Sequence, residues 1–119
     1  MVIAEGAGEA ALSVVLVSAP PDRAESIARA ILEARLAACV NVVPGVVSLY
    51  WWQGAIARDE ESMLVVKTRT DLVPALTAAI RAAHPYEVPE VLALPVTAGI
   101  GNPAYHAWVV ESVAVPPEG

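Results

Sequence analysis

Hydrophobic and polar positions alternate between two spacings along this chain, and the switches mark its elements. Leu12-Ser-Val-Val-Leu-Val-Ser18 is a short β-branched run stopped by Pro20-Pro21, which predicts a buried strand. Ala24, Ile27, Ala28, Ile31 and Leu32 then recur at helical spacing, with Arg23, Glu25, Arg29 and Glu33 on the opposite side. Asp22 and Glu25 have capping-box spacing, so a helix is expected from there to about Leu36 or Ala37. A second strand opens at Cys39, bends or bulges at Pro44-Gly45, and continues from Val46 to Gln53. Gly54 to Glu61 reads as the turn of a hairpin, with the acidic run Asp59-Glu60-Glu61 at a solvated tip, and Ser62 to Thr68 as the returning strand.

Thr70 or Asp71 is expected to cap a second helix striped by Leu72, Leu76, Ile80 and Ala83, with Pro74 tolerated in its first turn and Pro85 ending it. Val91 to Val96 predicts a fourth strand. Asn102-Pro103 opens a last short helix whose expected face holds Tyr105, Trp108, Val109 and Ser112, with Val113 alongside. The order β-α-β-β-α-β plus a terminal helix predicts an α+β, ferredoxin-like domain: two helices on one face of a four-stranded antiparallel sheet, the other face bare. A bare face and long edges need covering, so neighbouring copies are expected to close them, with the Tyr50-Trp51-Trp52 segment reaching across or packing on its own sheet. The single domain is expected over residues 12–115, with a flexible extension over 1–11 and a tail over 116–119.

Composition narrows the function classes. Of 119 residues, 56 % are hydrophobic and only 17 % charged, which suggests a membrane or burial between subunits. No run of about 18 apolar residues exists to span a bilayer. Glu5 and Glu9 in place of a basic start do not resemble a signal peptide, so an oligomer in the cytoplasm is expected. A net charge of −6 with scattered Lys and Arg argues against nucleic acid. The single cysteine, Cys39, excludes an intrachain disulfide and fits a reducing compartment.

Candidate chemistry gathers at His84-Pro85-Tyr86-Glu87-Val88-Pro89-Glu90, where two prolines stiffen a loop carrying an imidazole, a phenol and two carboxylates. His84 reads either as a metal ligand or as a cap on the last helical carbonyls. Cys39 reads as a ligand or a small buried hydrophobe, and His106 as a surface or packing residue. Lys67 with Tyr50, Trp52, Tyr86, Glu87 and Glu90 forms a second constellation. It predicts either an inter-subunit pocket for an anion or zwitterion, or a salt bridge from Lys67 to Glu87 or Glu90 that sets register between copies. No Ser-His-Asp set, paired-carboxylate motif or cofactor fingerprint is present, so the chain is not expected to be an enzyme.

The run Leu36 to Gly45, Ser48-Leu-Tyr-Trp-Trp-Gln-Gly54, Val66-Lys-Thr68 and the His84–Glu90 loop, in that order, resemble the CutA family of divalent-cation tolerance proteins. The resemblance runs from about Val14 to Val113. It implies a ferredoxin-like subunit, a tightly interlocked homotrimer, and a part in tolerance of copper and other heavy metals. It also implies divalent cations, Cu(II) first, as ligands, with metal sites at His84 and Cys39 and no required cofactor. The chain departs from the family's proposed ligand pattern at Val17, where a cysteine is expected, and at Ala83, where a second histidine is expected. A PII-like signalling or adaptor trimer, binding a small anion or a protein partner between subunits, is the alternative. Covered edges and many prolines predict resistance to heat.

Overall fold

The computed structural model of the chain describes residues 10–114. The extension expected over 1–11 falls, apart from Ala10 and Ala11, outside them, as does the tail over 116–119. The elements are β1 (Leu12–Ala19), α1 (Ala24–Glu33), β2 (Cys39–Trp52), β3 (Ala55–Arg69), α2 (Val73–Ala83), β4 (Leu92–Pro95) and α3 (Pro103–Ser112). The strands form one antiparallel sheet in the order β2-β3-β1-β4, the ferredoxin-like arrangement read from the sequence.

Period-two burial explains the layering. Val15 and Val17 of β1 and Leu64 and Val66 of β3 are fully buried beneath Ile27 and Ile31 of α1 and Leu76 and Ile80 of α2. Their neighbours Val14, Leu16, Val65 and Lys67 point the other way and are only half-buried, because no helix covers that face. All four β4 residues are exposed along the sheet edge. Apolar side chains thus seal one side of the sheet and leave the other, with its β4 edge, unsealed.

Several local expectations are corrected. Asp22 does not cap α1: Arg23 stands at the N-cap without a side-chain bond, and Ser26 Oγ donates back to Arg23 O at 2.9 Å. The helix stops at Glu33 rather than Leu36, because Arg35 turns to φ 60°. Its N–H returns to Leu32 O at 3.0 Å while Leu36 N–H returns to Ile31 O at 3.0 Å, the paired bonds of a Schellman end built without glycine. Neither Thr70 nor Asp71 caps α2 through its side chain; residues 70–72 form a 3₁₀ turn leading into it. The cap expected at Asn102 is present, with Oδ1 accepting from Ala104 N–H at 3.0 Å. On α3, Val109 and Val113 are buried, whereas Tyr105 and Trp108 stack on each other at 5.5 Å and remain exposed.

The largest correction concerns the hairpin. Its turn is only Gln53-Gly54, at φ 50° and 80°, a two-residue loop with both centres left-handed. Residues 55–61 are strand, so Asp59-Glu60-Glu61 lies inside β3 and not at a tip. Past an irregularity between Val43 and Val46, the ladder pairs Val46 with Glu61 and continues to Trp52 opposite Ala55. The outer ladder (Val46–Trp52 with 55–61) is an arm about 20 Å long at strand rise.

Candidate functional site

The arm has two unlike faces, because directly paired residues share a side. Leu49, Trp51 and Ile56 lie on one, exposed at 68 %, 74 % and 67 %. Tyr50, Trp52 and Asp59 lie on the other. At the base of the arm, that second face meets the loop joining α2 to β4 across a cleft of about 710 Å³.

The loop is fixed by His84, which is only 7 % exposed. Its backbone N–H closes α2 on Ile80 O at 2.8 Å. The ring then uses both nitrogens: Nε2 donates to Ser18 O at 2.7 Å, and Nδ1 accepts the Tyr86 N–H at 3.1 Å. That pattern selects the neutral tautomer and leaves no lone pair for a metal. The Tyr86 ring packs on the imidazole at 4.6 Å, and its hydroxyl donates to Glu61 Oε2 at 3.1 Å, tying loop to arm. On the facing wall the Tyr50 hydroxyl donates to Asp59 Oδ2.

The cleft therefore gathers Tyr50, Trp52, Tyr86, Glu87 and Glu90 of the expected constellation. Lys67 does not join them within the subunit. Six residues beyond Glu61 on β3, it sits about 20 Å away and donates to Asn41 Oδ1. Neither ion pair expected of it, to Glu87 or to Glu90, forms in the subunit. Asp59 and Glu61 take its place, and the sequence reading missed both. Glu61, only 5 % exposed, is the most buried carboxylate of the cleft. The available signal was Glu61 standing one residue before a buried strand, in register with the hydrophobic alternation of Met63 and Val65.

Four carboxylates now line the cleft, those of Asp59, Glu61, Glu87 and Glu90, and no basic side chain does. Burial first, then the Glu61 charge, raises the Glu90 carboxyl above its ordinary range. Burial, then the hydrogen bond to Glu61 and the surrounding negative charge, pushes the Tyr86 phenol up to about 12. Tyr50 is raised first by its bond to Asp59 and then by burial. Tyr105, outside the cleft, is raised by burial and then by the neighbouring Cys39. The fold raises all three phenols, so their contribution is present below pH 10 and lost as pH climbs above it, toward 12 for Tyr86. In a 295 nm titration we expect Tyr86 to remain un-ionised at pH 10 in the native chain and to titrate ordinarily near 10 in denaturant. Glu61→Gln should lower the Tyr86 transition; an unchanged curve would sever the link between them.

The two proposed metal ligands do not form a common site within the subunit. Cys39 pairs with Lys67 on β3, whereas Ser18, bonded to His84, pairs with Met63, about 13 Å along the same strand. Among the described residues no three His, Cys, Asp or Glu side chains converge to hold a metal ion. His106 lies on α3 with Nε2 near Gly101, away from the cleft. No helix of the described residues is long and apolar enough to cross a membrane.

Comparison with known proteins agrees with this architecture. The chain is 50 % identical over 99 residues to mouse Protein CutA, covering 82 % of this chain and 55 % of the relative, so it spans about half the length of that protein. It is 48 % identical over 100 residues to the divalent-cation tolerance protein CutA of Thermus thermophilus, covering 83 % of this chain and 95 % of that one. The crystal structure of CutA1 from Oryza sativa superposes with a TM-score of 0.86 at 42 % identity, over 90 % of this chain and 97 % of the other. The family model for CutA1 divalent ion tolerance protein matches residues 13–112, and the chain belongs to that family.

Proposed function

We propose that the chain acts as a non-catalytic cytoplasmic homotrimer in the response to divalent metal ions, copper foremost, by weak and reversible cation binding in clefts at subunit seams. The observation that carries this reading is the cleft itself: four carboxylates, one of them buried, with no basic side chain of the same subunit to balance them. It stands at the root of an arm whose other face exposes Leu49, Trp51 and Ile56, the kind of surface that a neighbouring copy covers. Cu(II) leads the common divalent ions in affinity for a given oxygen or nitrogen site. With no convergent ligand cluster among the described residues, the binding is weak, suited to tolerance rather than tight storage. Copper affinity resides in the cleft carboxylates and not in Cys39 with His84.

Calorimetric titration with Cu(II) tests the reading. We expect saturable binding in the native chain, loss of at least tenfold in affinity for Glu61→Gln, and no change for Cys39→Ser. Equal, negligible heats in all three would remove it, and loss confined to Cys39→Ser would move the site elsewhere.

A further inference from the structure

The cleft has properties that a metal ion alone leaves unused. Glu61 is buried, its Oε2 accepts only the neutral phenol of Tyr86, and its Oε1 accepts no hydrogen bond among the described residues. A carboxyl group so enclosed, on the wall of the cleft and with no cation beside it, favours an arriving positive charge. Among the described residues no cation of the subunit is placed to balance it. Arg58 pairs with Glu60 on the opposite face of the arm, Lys67 bonds Asn41, and Arg69 pairs with Asp71 at 2.7 Å.

A bare divalent ion would use only part of this place and be held weakly. Hard cations take six or more oxygens at short range, and here the acidic groups are spread around a cleft of about 710 Å³. Two of the oxygens, on Asp59 and Glu61, already accept phenol protons. Between the carboxylates lie Trp52, the Tyr86 ring and Val88, which offer apolar and π surface rather than ligands. An ammonium group can sit against a carboxylate and an aromatic face together, and its methylenes can lie along apolar wall.

We propose that the cleft binds an organic ammonium ion with a short alkyl body, an alkyl diamine being the best match, with one nitrogen at Glu61 and the other toward Glu87 and Glu90. This rests on the reading of the cleft as a cation site and names the class of cation. The raised Glu90 carboxyl agrees with it, since an arriving cation would relieve the crowding with Glu61.

The test uses the full chain in its native assembly and 1,5-diaminopentane as probe, by calorimetry at pH 7.5 and fixed ionic strength. We expect saturable binding of the diamine, none of uncharged 1,5-pentanediol, and at least a tenfold loss for Glu61→Gln, which keeps an acceptor for Tyr86. Glu87→Gln, at an exposed position, provides a second variant if the first folds poorly, with a smaller loss expected. Failure of the native chain to bind, or an equal effect of MgCl₂ at matched ionic strength, overturns the proposal. So does binding seen only in Lys67→Met, which would mean that a neighbouring copy's lysine fills the cleft. Copper binding that depends on Glu61 without diamine binding would sink this inference and leave the metal reading standing; loss of both would remove the cleft as a cation site.

Discussion

Placing aspartate at Leu49 and Ile56 together should convert the assembly to single subunits. In sedimentation velocity at micromolar concentration we expect the native chain at three times its 12.4 kDa, and the double variant at one. Both residues stand on the apolar face of the arm and are two-thirds exposed in the isolated subunit. Burying such a side chain is worth about 1.5–3 kcal/mol, and a carboxylate there would have to be desolvated without a partner, which costs more. Over the three equivalent seams of the proposed trimer these terms add, so the expected change is complete dissociation rather than a modest weakening. The substitutions leave the helix-covered core of Val15, Leu64, Ile31 and Ile80 untouched, so far-ultraviolet dichroism should keep its shape. A native chain that sediments as a compact monomer would remove the trimer altogether. A variant that still assembles would place the contact elsewhere, on the bare sheet face or the β4 edge.

His84→Ala should lower the unfolding free energy by about 2–4 kcal/mol, a large effect for one side chain. The imidazole fills a buried position and satisfies two backbone groups, Ser18 O and Tyr86 N–H. Its removal leaves both without their partner, at roughly 1–3 kcal/mol each where water cannot reach, and opens a void beneath the Tyr86 ring. Chemical denaturation of the two proteins at equal concentration measures the difference; a change below about 1 kcal/mol would show that the ring is dispensable to the loop. Any copper effect of this substitution must therefore be judged against the collapse of the loop, because the histidine shapes the cleft without lining it.

Much of the fold could be read from spacing alone. The β-branched run of Leu12 to Ser18 and the helical recurrence from Ala24 to Ile31 both describe residues whose burial is settled inside one subunit, and the elements appear where expected. The errors fall where a local signal was outweighed. Asp22 offered a cap, yet the turn Pro20–Arg23 closes on backbone bonds and leaves that carboxylate outside. Residues 55–61 were charged, apolar and small by turns, which reads as a loop, because the sheltered side, Ala57, Asp59 and Glu61, carries a methyl and two carboxylates rather than an apolar stripe. Gln53 added to this, since a left-handed residue without a glycine, asparagine or aspartate leaves little trace in a sequence.

The site was legible in part for the same reason. His84 to Glu90 stood out by its prolines, and Tyr50 and Trp52 by their size, so the two walls of the cleft were visible. What joined them was not. Glu61 looked like one more charge in an acidic run, and only its position opposite Val46 brings it under Tyr86. Lys67 was attractive as a cation that would face carboxylates beside aromatic walls, but within the subunit strand rise carries it out of reach of its expected partners.

The extra residue that β2 carries between Val43 and Val46 acts as a parity switch. Up to Val43, odd-numbered residues of β2 stand opposite odd-numbered residues of β3; beyond it, even-numbered ones do. Because the Gln53-Gly54 turn holds the outer register, excising Gly45 would leave every residue from Val46 to Trp52 opposite its present partner and on its present side. What would change is the bend and twist with which the arm leaves the sheet. The irregularity therefore aims the arm without choosing what its faces display, so a single deleted codon could re-point an intact surface.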